Sequence, residues 1–264
     1  MLRWLAEKKH YGMLDDVLKM AQAKGVVSII TLANVAAMIG EVGERTRATK
    51  LLMMAEVMGP SKKQEWQAIA DAYARMDNVA KATIALSHVG PQEDWDFAAW
   101  MTRGRIDMSH KHYREAVVAY GRASELDRED SSPLYFRGLV QLLLGDTDGA
   151  RADFESCIKL GDQSSQVLGG LGYALFDLAR YEEAEERFRL AIKKNEKMAD
   201  NHLGLALTLF RMGRMDDAKS AHVRAIAEDS VMGRGLKAAE VKGYVYSEVE
   251  KKAWEDFLRE MKKK

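Results

Sequence analysis

Large and small apolar residues recur along this chain at helical spacing, and the pattern itself returns every 34 residues. In Tyr181-Glu-Glu-Ala184-Glu-Glu-Arg-Phe188-Arg-Leu-Ala191 the marked positions sit three, four and three residues apart. That spacing lays them on one face of a helix, with small residues admitting a neighbour and a large one filling the gap. One period earlier the same places hold Thr147, Ala150, Phe154 and Cys157, and two periods earlier Tyr113, Ala116, Tyr120 and Ala123. One period later they are Met215, Ala218, His222 and Ala225; upstream, Ala82/Leu86/Val89 and Ala48/Leu52/Ala55 keep phase. A strict period of this length predicts a stacked repeat architecture.

A second apolar set precedes each copy: Trp66, Ile69, Ala70 and Tyr73 in one, Leu168, Leu171, Gly172 and Leu175 in another. Gly43, Gly145 and Gly213 fall between the two sets, where a left-handed residue would end the first helix. Each repeat is therefore predicted as helix, tight turn and helix, too small to bury its apolar face alone. Six repeats are expected at 29–62, 63–96, 97–130, 131–164, 165–198 and 199–232, after a partial repeat or cap at 1–28. Ser132-Pro133 reads as a helix start, with Ser132 as the cap. Met53, Met54, Met58 and Met76 read as adaptable packing in the loosest copies. Capping helices are expected at 233–264, a short one through Leu236, Ala239 and Gly243 and a second opened by the capping box Ser247-Glu-Val-Glu250. Val249, Ala253, Trp254, Phe257, Leu258 and Met261 stripe one face of that second helix.

The period, Trp66-Gln-Ala-Ile69-Ala70-Asp-Ala-Tyr73 and the Tyr181–Ala191 stretch resemble the tetratricopeptide repeat family over most of the chain. The resemblance implies an all-α fold, a right-handed α-solenoid of stacked antiparallel helix pairs. The family's usual proline between repeats is kept only at Pro60. It also implies a concave groove lined by the second, fifth, ninth, twelfth and thirteenth places of each repeat. The fifth, ninth and twelfth places carry Tyr135, Leu139 and Leu142, then Gly169, Tyr173 and Phe176, then Leu203, Leu207 and Phe210. Met101, Arg105 and Met108 add a further row, and Gln64, Gln67, Asp71 and Arg75 make a polar end. Three apolar residues at the ninth place, often Asn in this family, predict an exposed apolar patch and hence an interaction site. Closure of the superhelix, or the last helix lying over these residues, is the alternative. The Lys/Asn/Arg set by which some members clamp a partner's terminal carboxylate is absent, since Ala33 and Ala37 flank Asn34.

Bulk composition narrows the partners. Lys plus Arg equals Asp plus Glu at 40 each, so the net charge is zero and nucleic acid is disfavoured as a partner. The longest apolar stretch, 26–40, is interrupted by polar residues and falls short of a membrane span. No secretory leader is evident at the start, which points to the cytoplasm, though a start inside a repeat also fits a piece of a longer protein. The lone Cys157 sits where other copies carry Ala or Val and reads as packing. His110 and His112 lack further ligands for a metal, and paired carboxylates such as Glu182-Glu183 fall on outer faces beside arginines. Gly233-Arg-Gly235 mimics a dinucleotide fingerprint without the strand that motif needs. The expectation is thus a non-catalytic scaffold without cofactor or metal, binding a protein or peptide such as an amphipathic helix in its groove. Alternatives are a carrier of hydrophobic secretion or pilus-assembly substrates and the partner-binding part of a larger protein. A homodimer through the last helix stays open.

Overall fold

The computed structural model describes residues 27–41, 43–235 and 246–263, together with residues 12, 13, 16 and 239. Among the described residues there are thirteen α-helices, two short 3-10 turns and no strand. The chain divides into two compact units, residues 1–126 and 127–264. In the first lie α1 (Ile29–Glu41), α2 (Arg45–Val57), α3 (Lys63–Arg75), α4 (Val79–Ser87), α5 (Phe97–Ser109) and α6 (Tyr113–Leu126). In the second lie α7 (Ser132–Leu144), α8 (Thr147–Lys159), α9 (Ser165–Asp177), α10 (Tyr181–Lys194), α11 (Ala199–Arg211), α12 (Met215–Glu228) and α13 (Glu248–Met261). Within each unit, consecutive helices pack as antiparallel pairs and each pair packs on the next, which is the expected all-α fold class. The partial repeat expected at 1–28 and the short helix through Leu236 and Gly243 lie outside the described residues, apart from the few named above.

The turns obey the period more strictly than their glycines suggest. Gly43, Asp77, Lys111, Gly145, Ala179 and Gly213 follow one another at 34-residue steps, and all six have positive φ, between 56 and 95°. A left-handed residue lets the next amide return to the helix it leaves, as Asn78 N does to Tyr73 O at 2.9 Å. Only glycine takes that conformation without a Cβ clash, so Ala179 holds its turn at a cost of about 1–2 kcal/mol.

Helix starts follow from the side chains before them. Asp96, Asp146 and Ser164 accept hydrogen bonds from the amides of Ala99, Gly149 and Val167. The cap of α7 is Ser131 rather than Ser132: Pro133 needs a first-turn position, and the residue before that turn is Ser131.

Between helices, the large aromatics of α6, α8 and α10, Tyr120, Phe154 and Phe188, enter notches left by glycines on the first helices. A Cβ on Gly138 or Gly170 would stand 2.9 or 2.7 Å from the Phe154 ring, and one on Gly172 would stand 2.9 Å from Phe188. Phe154 and Phe188 are fully buried in consequence. Cys157 is buried in the same layer, its Sγ directed at Ser131 O at 3.4 Å, and burial pushes its thiol up to about 12. Arg137 holds the buried Asp153 by two bonds of 2.6 and 2.7 Å. Of the four methionines expected to pack, Met76 is buried but Met53 and Met58 are exposed, because they sit on the outer side of α2 and just past its end.

Candidate functional site

In the first unit, the inward-facing residues of α1, α3 and α5 form a ladder of charges. Arg75 binds Asp71 one turn earlier at 2.7 Å and Glu41 of α1 at 3.0 Å. Asp71 in turn accepts from Arg105 of α5 at 3.0 Å. Both inter-helix pairs join residues one period apart, so the stacking that aligns equivalent places also aligns the charges. Gln67, expected as a free polar wall, is buried and donates to Asp96 at 2.6 Å, the residue capping α5. Gln64 remains exposed, Met101 is buried and Met108 half-buried. This face is polar and largely self-paired.

The second unit differs. Here the equivalent residues of α9 and α11 are covered by the chain's own last helix, α13, whose start faces α7 across a small cavity. Its capping box forms as expected: Ser247 Oγ accepts from Glu250 N at 3.1 Å, and Glu250 Oε2 accepts from Ser247 N at 2.8 Å. The helix then turns most of its apolar stripe inward, leaving Ala253, Trp254 and Phe257 buried and Leu258 and Met261 half-buried, while Val249 in its first turn stays exposed. Phe257 meets Phe210 of α11 at 5.4 Å between ring centres and His222 of α12 at 5.3 Å. Tyr246, just before the helix, stacks edge-on against Trp254 and against Tyr173 of α9, at 5.4 and 6.2 Å. Arg211 and Asp256 add an ion pair at 3.7 Å.

Among the described residues of this unit the expected exposed apolar patch is therefore absent. Leu142, Tyr173, Phe176, Leu203 and Leu207 are buried, and Tyr135, Leu139 and Phe210 are half-buried. The alternative of coverage by the last helix describes the arrangement. Apolar residues at the ninth places of α9 and α11, Tyr173 and Leu207, belong to the surface that α13 packs on, and an amphipathic helix gains most by lying there.

Polar groups come together where α13 begins. Asp200 Oδ1 accepts from Tyr173 Oη at 3.0 Å and Tyr246 Oη at 2.9 Å. Nearby, Asp177 and Glu250 each keep a buried carboxyl oxygen without a partner, Asp177 Oδ1 and Glu250 Oε1. A cavity of about 70 Å³ between Tyr135, Gly169, Tyr173, Asp200 and Glu250 is room for a water or two. Burial pushes Asp200 up to about 6, against the two tyrosine bonds that lower it. Asp177 and Glu250 are raised together, first by burial and then, for Glu250, by the neighbouring acids. Sequence reading missed this cluster, although Asp200 and Asp177 stand at the second and thirteenth places of their repeats and so on the groove side.

No group of three or more metal-ligating side chains exists among the described residues. Nor, among those residues, is any helix long and apolar enough to cross a membrane.

Comparison with known proteins agrees with this geometry. A family model described as tetratricopeptide repeat matches residues 101–165 and 170–230. A small glutamine-rich tetratricopeptide repeat-containing protein 2 from Mycosarcoma maydis is 31% identical over 138 residues, 52% of this chain and 37% of that protein. The chain thus spans little more than a third of that relative. The APC/C hetero-tetramer Cut9–Hcn1 contains a chain that superposes with a TM-score of 0.71 at 16% identity, over 96% of this chain and 48% of that one. YrrB, a tetratricopeptide repeat protein with an unusual peptide-binding site, superposes with a TM-score of 0.53 at 15% identity, over 73% of this chain and 98% of its own.

Proposed function

The chain is a tetratricopeptide repeat protein, and we propose that it works as a non-catalytic interaction scaffold whose second unit receives an amphipathic helix on its concave face. Such repeats generally mediate protein–protein interaction, so a protein or peptide partner follows from the family. The finer reading rests on one observation, the seating of α13. An amphipathic helix of this chain already lies across α9 and α11 with Trp254 and Phe257 fully buried. A surface that holds one such helix has the apolar anchoring places and polar rim to hold another of similar pattern. In this reading α13 is the resting occupant, and Tyr135, Leu139, Leu142, Tyr173, Phe176, Leu203, Leu207 and Phe210 form the floor. The first unit, with Gln64, Gln67, Asp71, Arg75, Met101, Arg105 and Met108, offers a more polar and largely self-paired face.

The test uses the full chain and a labelled peptide of residues 246–264. Phe257→Ala removes a fully buried ring from α13 and should loosen that helix by about 3–5 kcal/mol, leaving the repeats intact. The labelled peptide should then bind the variant in fluorescence polarisation and fail to bind the unaltered chain, whose own helix competes. A peptide carrying the same Phe257→Ala change should bind neither. Equal binding of the peptide to both proteins, or to neither while hydrogen exchange shows α13 released, would refute the groove.

A further inference from the structure

A second groove lies on the other side of the C-terminal unit, away from α13. It runs between α10 and α12, the second helices of two consecutive repeats, with α11 as its floor, and encloses about 510 Å³. The floor is apolar, formed by Leu205, Leu209 and Ala221, all at least nine-tenths buried, with Ile192 half-buried beside them.

The rim is basic. Arg189 and Arg214 share Glu185, at 2.7 and 2.9 Å, and Arg214 also binds Asp217 at 2.7 Å. Lys193 and Arg224, both exposed, have no acidic partner among the described residues. The rim and its paired acids together therefore carry two uncompensated positive charges over an apolar floor.

This groove is particular to its place in the array. One period earlier Ser220 and Ala221 are Glu186 and Arg187, a bulky pair joined at 3.7 Å, and Arg224 is Leu190. The change to Ser and Ala removes the side chains that would fill the space above the floor. The change from Leu190 to Arg224 adds a cation at its edge.

We propose that this outer groove binds a short acidic segment of a partner protein that carries a bulky apolar side chain. The recessed floor calls for an inserted side chain, and the unpaired Lys193 and Arg224 call for carboxylates flanking it. A membrane surface fits less well, because a flat interface would not reach residues that lie below the two helices. Single-stranded nucleic acid fits less well too, since the one ring in the lining, His202, is buried and bonded to Glu196 O at 2.8 Å rather than presented to stack a base. The proposal is independent of the concave-face reading: the two surfaces share none of the residues used here.

A fluorescein-labelled peptide with a Leu-Phe pair flanked by glutamates serves as the probe, with the same pair flanked by lysines as its control. The full chain should bind the acidic probe in a saturable manner, with affinity falling as salt rises, and leave the basic control unbound. Arg224→Glu and Lys193→Glu, both at exposed positions, should each weaken the probe by about tenfold with the melting temperature unchanged. Ala221→Arg restores the side chain found one period earlier and should abolish binding by filling the groove. Phe257→Ala should leave the affinity as it is. Equal binding of both peptides, indifference to Arg224→Glu and Ala221→Arg, or no saturable binding at all would overturn the proposal. Binding to anionic phospholipid vesicles in place of the peptide would overturn it as well.

Discussion

Asp200→Asn is the perturbation that most directly questions the account of the second unit. The side chain accepts two tyrosine hydroxyls on one oxygen, and Asn Oδ1 can accept the same two, so the change removes charge and keeps geometry. Burial raises Asp200 from 3.8 to about 6. The folded form with α13 seated therefore holds a proton, between those two values, that the opened form has lost. Stability from this source is present below pH 4 and gone once pH passes 6. Between pH 5 and pH 8 a group with these two values loses about 1.4 kcal/mol of native stabilisation, near tenfold in the open fraction. That figure is an upper bound, because Asp200 keeps some contact with water. The groups around it push the same way: Glu250 is raised well above its ordinary value by burial and by Asp177 and Asp200, with Lys251 opposing them. His222, packed on Phe257, works in the opposite sense, since burial lowers its pKa and protonation as the pH falls favours opening.

The difference between wild type and variant isolates Asp200 from that background. Hydrogen exchange of the α13 amides, corrected for intrinsic rates, should show wild-type protection falling from pH 5 to pH 8. Asp200→Asn should lose that fall by up to the figure above and be the better protected at pH 8. A variant with the wild-type slope, or one less protected at pH 8, would show that the charge of Asp200 does not bear on the seating of α13.

Two further outcomes follow from packing. Gly170→Ala should destabilise the second unit by about 1–3 kcal/mol despite alanine's roughly 1 kcal/mol helix advantage, because its Cβ would stand 2.7 Å from the Phe154 ring; a raised melting temperature would contradict this. Cys157, fully buried and pushed up to about 12, should react with a thiol reagent at neutral pH only as fast as the unit opens; stoichiometric labelling in the folded state would contradict its placement.

How much of this was legible in the sequence depends on which interactions are local. The helix pairs follow from contacts within one period. Phe154 and Phe188 need small residues opposite, and the glycines that supply them stand at fixed distances in the chain. Left-handed turns could be placed from Gly43, Gly145 and Gly213, yet Asp77, Lys111 and Ala179 do the same in the other three, because stacking on both sides imposes the geometry whatever the side chain. The exposure of the apolar ninth places was not legible. It depends on α13, which begins some forty residues or more away from Tyr173 and Leu207 and does not keep the repeat's pattern. Asp200 shows the same limit: its tyrosine partners are 27 and 46 residues distant, and only the folded chain brings them together.

The covered face also changes what recognition there would require. A helix tethered to its own groove competes at an effective concentration in the millimolar range. If α13 is seated 99% of the time, a partner's apparent dissociation constant is about a hundredfold above its intrinsic one. Affinity for a partner is then set as much by the strength of the cis contact as by the partner's own fit. The carboxyl cluster at the start of α13 weakens that contact as its groups ionise, so it makes the groove easier to enter at pH 7 than at pH 5. Asp200→Asn, which keeps both tyrosine bonds without the charge, would seat the helix more firmly at neutral pH and, by the same arithmetic, close the groove to any partner that could not displace it. On the reading proposed here, the buried acids are a cost to stability that keeps the site open to exchange.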